Sequence, residues 1–192
     1  MQSAPKAAFD FKVVVAGPFA AGKTTLIQAS SDIPLVGAEA PTSGPESSVK
    51  AMTTVGMEYG TLTFAGSQFD AELRLYGVPG QERFSFMWDI MAVGMDGLLF
   101  VLVDAGRPET WSTSASVARH FARIAHTPTI IGVNHREGDP VDDLLPDIAS
   151  ELSLGHTRLV PFNVMNRSES RDALVELLIE ILHHEMQGQA AA

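Results

Sequence analysis

Nine consecutive residues near the start of the chain concentrate its chemistry: Gly17-Pro18-Phe19-Ala20-Ala21-Gly22-Lys23-Thr24-Thr25. Glycines on either side of four other residues let a backbone curl tightly. Several N–H groups can then converge on phosphate oxygens. A helix starting directly behind such a turn adds the partial positive charge of its N-terminus. Lys23 can reach the β- and γ-phosphates, and the Thr24 hydroxyl stands where it can ligate Mg²⁺. The stretch from Gly17 to Thr25 is thus expected to hold a nucleoside triphosphate.

Such a turn needs a strand to deliver it and a helix to leave it. Phe11-Lys12-Val13-Val14-Val15-Ala16 suits a buried strand, and Leu26-Ile27-Gln28-Ala29 continues as a helix. Residues 32 to 50 then gather turn formers (Pro34, Gly37, Pro41, Gly44, Pro45), a composition that fits a mobile lid and a plain surface insertion alike. Val55 to Phe64 and the strictly alternating Phe69 to Tyr76 read as a hairpin. Pro79-Gly80-Gln81 breaks that pattern, and Arg83 to Met95 follows as a helix with Phe84, Trp88 and Met91 in one stripe. Leu98 to Val103 is a core strand ending at Asp104. A helix over Glu109 to His126 turns Trp111, Ala115, Ala118, Phe121 and Ala125 inward. Thr129 to Val133 is a strand closing on Asn134, and Asp142 to Leu152 a helix interrupted or started at Pro146. Thr157 to Phe162 is the last strand. Ser168 or Ser170 caps a final helix with Leu174, Leu177, Leu178, Ile181 and Leu182 toward the core. This alternation predicts an α/β fold with helices on both faces of a sheet.

The 192 residues suit one domain, and 45% apolar with 19% charged residues is a globular composition. A formal charge of −10 opposes non-specific attraction to nucleic acid or anionic lipid. The chain has no cysteine, so disulfides, thiolate metal sites and thiol catalysis are excluded. Residues 1 to 8 lack the apolar core of a leader, and no run reaches membrane-spanning length. Residues 1–8 and 187–192 are expected to be flexible ends around a domain at 9–186, and a cytoplasmic location is expected.

Three further motifs follow the glycine turn in a set order: Thr54-Val55-Gly56-Met57-Glu58-Tyr59, Pro79-Gly80-Gln81, and Asn134-His135-Arg136-Glu137. Together they resemble switch I, switch II and the guanine-reading segment of Ras-like small GTPases. The likeness spans Phe11 to His184. It is closest to a bacterial branch that includes gliding-motility polarity GTPases and actinobacterial GTPases encoded beside roadblock-fold proteins. Phe84-Ser85-Phe86-Met87-Trp88-Asp89 is similar to the segment the latter carry after switch II.

The resemblance implies a P-loop NTPase fold, a Ras-like three-layer α/β/α architecture with a mostly parallel six-stranded sheet. It implies GTP or GDP with Mg²⁺ as ligands. Lys23 and the loop amides would hold phosphates, and Thr24 and Thr54 would ligate the metal. The Gly80 N–H would bond the γ-phosphate, and Gln81 would orient the attacking water. Asn134 and His135 belong to the base segment, Glu137 stands for the aspartate that reads guanine, and Asn166 lies near the loop backing the base. A roadblock-fold regulatory partner is implied as well.

Two departures stand out. Gly77 occupies the place of the aspartate that completes the Mg²⁺ shell in most P-loop NTPases, and Glu58 or Asp104 could compensate through water. In the base segment His135 replaces a lysine and Glu137 an aspartate, with Asp139 as a substitute if the loop is displaced. No arginine is placed to act in cis, so slow hydrolysis, accelerated ~10³-fold or more by a partner, is expected. The expected function is a GTP/GDP switch. A nucleotide-holding scaffold and a P-loop ATPase are the alternatives.

Overall fold

Val13, Val14, Val15 and Ala16 form an unbroken apolar run, and all four are fully buried. A strand covered on both faces reads in this way, and the run lies in the second half of strand β1, Ala7–Ala16. The computed structural model describes residues 7–37, 39–41, 52–54, 56–67, 69–102, 105, 108, 111–124, 127–152 and 157–190. Helix α1 is Lys23–Ser30, followed by short strands β2 (Glu39–Pro41) and β3 (Met52–Thr54). The hairpin is β4 (Glu58–Ala65) with β5 (Phe69–Gly77). Then come α2 (Phe86–Ala92), β6 (Gly97–Leu102), α3 (Trp111–Ile124) and β7 (Thr129–Asn134). The last elements are α4 (Val141–Leu152), β8 (Arg158–Phe162) and α5 (Arg167–Ala190).

The result is an α/β fold with a six-stranded sheet in the order β4-β5-β1-β6-β7-β8. Only the β4–β5 pair is antiparallel; the other four pairings are parallel. One face buries Phe11, Val13, Val15, Leu73 and Leu75 against Leu26 and Ile27 of α1 and Leu174, Leu177 and Ile181 of α5. The other buries Val14, Ala16, Leu98 and Ile131 against Trp88 of α2, Phe121 of α3 and Ile148 of α4. Apolar burial of this kind stabilises by roughly 25 cal/mol per Å². It fixes the sheet register, because a one-residue slip would turn each strand's apolar set outward.

Several elements differ from the sequence expectation. Residues 39–41, inside the segment read as a loop, pair with residues 52–54 just beyond it as a two-stranded ribbon. The region from Arg83 onward divides into a short 3₁₀ turn at Glu82–Phe84 and α2. Pro146 lies inside α4 without ending it. The last helix is capped by Asn166, whose Oδ1 accepts the N–H groups of Ser168 and Glu169. Ser168 therefore lies within the helix, and Ser170 sends its hydroxyl to the Val164 carbonyl instead. The helix continues to Ala190, through most of the expected tail. Asp104 and Ala125 lie outside the described residues.

Among the described residues, no helix is long and apolar enough to cross a membrane.

Candidate functional site

From β1 the chain crosses to β5 on one side and to β6 on the other. In open α/β sheets such a reversal of strand order leaves a crevice outside the carboxyl ends of the strands. The glycine turn leaves β1 at that position. Residues 78–81 leave β5 beside it, and Asn134 ends β7 nearby.

In the turn, Gly17, Ala20 and Gly22 take positive φ values of 145°, 61° and 98°. Ala20 is the one non-glycine among the described residues to do so. That conformation costs an L-residue energy, and it belongs to the curled backbone that gathers N–H groups into an anion-binding hollow. Gly22 must be glycine for a second reason. A Cβ there would stand 3.0 Å from Val164 Cγ2 and 3.2 Å from Asn134 Nδ2. Helix α1 begins at Lys23, so its N-terminal end and the positive end of its dipole lie at the turn. Lys23 is buried, and its Nζ donates to the carbonyls of Gly17 (2.9 Å) and Pro18 (2.7 Å). The ammonium is thereby held across the turn, at the place where phosphate charge would need it.

The Thr24 hydroxyl donates to Glu58 Oε1 at 2.5 Å. Glu58 begins β4 and is 2% exposed. Its position is enforced from outside the sheet, where residues 31–36 close the edge of β4. Val36 and Tyr59 exchange backbone bonds, and Asp32 N–H donates to the Thr61 carbonyl. Ser31 Oγ accepts from Thr61 N–H, and Asp32 Oδ2 from Thr63 N–H. Glu58 is paired across the hairpin with Gly77. A Cβ on Gly77 would meet Ile27 Cδ1 at 2.7 Å and Glu58 Oε2 at 2.8 Å. The glutamate carboxylate thus fills the volume that a side chain at position 77 would claim. A hydroxyl and a carboxylate are hard oxygen donors of the kind Mg²⁺ takes, although among the described residues no three His, Cys, Asp or Glu side chains gather as a metal site. Thr54 ends β3 opposite Glu39 in the small ribbon.

Gly80 approaches the turn so closely that a Cβ would lie 2.5 Å from the Pro18 carbonyl carbon and 2.6 Å from both Phe19 N and Lys23 Nζ. Gln81, next in the chain, is 3% exposed. Of the expected pair, Gly80 is therefore brought to Lys23 and the glycine turn, and Gln81 is buried next to it in the chain.

On the other side, Asn134 bridges two segments. Its Nδ2 donates to the Ala21 carbonyl and its Oδ1 accepts from Val164 N–H, both at 3.3 Å. His135 turns toward α5, with Nε2 3.9 Å from Glu169 Oε2 and Nδ1 3.0 Å from the Arg136 carbonyl. Glu137 is exposed on the turn that follows. Asp139 accepts the Arg136 N–H at 2.7 Å and so serves to shape that turn. The Asn166 amide is engaged by α5: its Nδ2 donates to Glu169 Oε1, and its Oδ1 caps the helix. Asn166 thus serves the helix start.

Sequence reasoning missed the mutual fit of Glu58 and Gly77, although the hairpin register contained it. Counting the register outward from Ala65 opposite Asp70 places the two opposite one another.

Compared with known proteins, the chain matches no family model and no curated protein.

Proposed function

We propose that this chain is a Ras-like molecular switch that binds GTP and GDP and hydrolyses GTP slowly. The observation that carries the reading is the seating of Gly80 against Pro18, Phe19 and Lys23. A phosphate-wrapping turn alone would suit many P-loop proteins. A second loop with a buried glutamine, packed on the phosphate end of the first, supplies what hydrolysis also needs.

The turn amides and Lys23 bind the phosphate chain and carry its negative charge. Gln81 orients a water for in-line attack on the γ-phosphorus; the new P–O bond forms as the bond to the β–γ bridging oxygen breaks, giving GDP and phosphate. Mg²⁺, when bound, neutralises charge on the β- and γ-phosphate oxygens. Thr24 and Glu58 would hold it, with Thr54 joining from the ribbon. Asn134 keeps the base side of the turn in place, and Glu137 reads the base. Residues 45–58 and 78–92 are the segments that the γ-phosphate would order; of the first, residues 45–51 and 55 lie outside the described residues. A cytoplasmic location, which rests on the cysteine-free composition, and a roadblock-fold regulator, which comes from the family likeness, complete the proposal.

Single-turnover hydrolysis of GTP and of ATP, with and without Mg²⁺, tests the reading on the wild type and Gln81→Leu. Slow Mg²⁺-dependent GTP hydrolysis that is lost in the variant is the expected result. Tight binding of GDP and GTP without turnover in either protein would replace the switch by a nucleotide-holding scaffold. Faster ATP turnover would make the chain an ATPase.

A further inference from the structure

Trp88 is 3% exposed, yet its indole N–H is not left to the apolar core around it. It donates to the Pro79 carbonyl at 2.8 Å. The ring itself is fixed from the far side. It meets His120 edge-on at 5.1 Å and Phe121 at 5.8 Å between centroids, and Asp89 holds His120 Nε2 at 2.9 Å. Helix α3 therefore anchors the indole, and the indole anchors one carbonyl.

That carbonyl belongs to the Pro79–Gly80 peptide. No described peptide bond is cis, and a trans peptide is planar, with its oxygen and its N–H pointing in opposite directions. Fixing the Pro79 oxygen on Trp88 therefore fixes the direction of the Gly80 N–H, away from the indole. Gly80 is the residue whose Cα faces Lys23 and the glycine turn.

We propose that Trp88 is a positioning residue that presets the Gly80 N–H as a donor to the third phosphate, so that it determines preference for a triphosphate over a diphosphate. This rests on the nucleotide-switch reading. A diphosphate leaves the Gly80 N–H without an anionic acceptor, and the indole bond then contributes nothing to affinity. A triphosphate completes a chain from indole N–H through the peptide to a phosphate oxygen. Bonds in such a chain polarise one another.

Trp88→Phe keeps an aromatic ring against His120 and Phe121 and removes the donor together with part of the indole's volume, a packing loss that both nucleotide complexes share. The ratio of affinities for a non-hydrolysable GTP analogue and GDP should fall about five- to tenfold, the worth of one hydrogen bond, with GDP affinity unchanged. An unchanged ratio, or an equal loss for both nucleotides, would overturn the proposal. A second measurement leaves Trp88 intact. The chain has two tryptophans, so Trp111→Phe leaves one indole N–H resonance. That resonance should move downfield with the triphosphate analogue and stay in place with GDP. The same position in both complexes would sink the idea. Failure of the wild type to bind either nucleotide would instead remove the switch reading beneath it.

Discussion

Glu58 and Gly77 face one another across the β4–β5 hairpin, and the carboxylate of the first occupies the space that the second leaves open. The same carboxylate accepts the Thr24 hydroxyl. Glu58→Gln keeps the size and the acceptor for Thr24 and removes the charge. Mg²⁺-dependent tightening of nucleotide binding should weaken about 10- to 100-fold, as when partners around a metal are removed. Titration of Mg²⁺ against a fluorescent nucleotide complex measures this, and unchanged Mg²⁺ dependence would exclude Glu58.

The reciprocal exchange is a stricter test of the same geometry. Gly77→Asp alone sets a side chain against Glu58 Oε2 and Ile27 Cδ1, the free ends of two side chains that must shift to admit it, at a cost of about 1 kcal/mol, the lower end of what overpacking exacts. Adding Glu58→Ala clears one of the two obstacles and leaves a single carboxylate on the neighbouring strand. Thermal melts should show the double variant more stable than Gly77→Asp, with its Mg²⁺ dependence restored. A double variant no more stable than the single would mean that the two residues do not share one space.

Gly80→Ala addresses the contact that carries the functional reading. The new methyl would fall on backbone atoms of Pro18 and Phe19, which cannot swing aside as a flexible side chain could. The 78–81 segment must then lift from the glycine turn, taking Gln81 with it. A misplacement of about 1 Å can cost 10²-fold in rate, so hydrolysis should fall by about that much while GDP still binds. Rapid-quench assays beside GDP binding measure both. Wild-type turnover in Gly80→Ala would show that this close packing is irrelevant to chemistry.

Much of this was readable in the chain because its signals are local. The apolar run before Gly17, the strict alternation from Phe69 to Tyr76 and the spaced leucines of α5 each record a side chain's immediate burial, and each element appears where they place it. The cap of α5 was misassigned because serine and asparagine offer the same short acceptor, and only the backbone path decides that Asn166 stands one residue before the helix. The ribbon of residues 39–41 and 52–54 was missed because its strands are three residues each, too short for any period to show. Glu58 could be named as a candidate from its type, but its contact with Thr24 joins a strand to a helix residue 34 positions away in the chain.

Asp32 joins three elements, and its charge makes the junction sensitive to acid. The Thr63 N–H chiefly holds its carboxyl below the ordinary aspartate range, burial opposes this, and Arg171 and Arg167 add to the lowering. Arg171 also donates to the Ser30 carbonyl, and Arg167 to that of Ala29, so the pair caps the end of α1. A lowered folded-state pKa gives stability that is present above the unfolded value of about 3.9 and lost as pH falls through the folded one. Because the carboxylate is partly exposed, solvent screening limits the effect to about 1 kcal/mol or less. Asp32→Asn should melt a few degrees below the wild type at pH 7, with the gap closing below about pH 4. A gap that persists unchanged at pH 3 would assign the loss to packing instead of charge.

Two carboxylates follow Asn134, and the turn separates their tasks. Asp139 already accepts the Arg136 N–H, whereas Glu137 stands exposed beside it. Reading guanine requires a carboxylate that can accept two ring-edge hydrogens, and one committed to its own backbone is a poor choice. Glu137→Ala should therefore lower the preference for GTP over ATP by about tenfold or more, because charged hydrogen bonds are the stronger class. Asp139→Ala should loosen the turn and lower the melting temperature while leaving the preference closer to that of the wild type. Competition of GTP and ATP against one fluorescent guanine nucleotide compares the two variants directly. The reverse ranking would move base recognition from Glu137 to Asp139 and require the loop to rearrange when nucleotide binds.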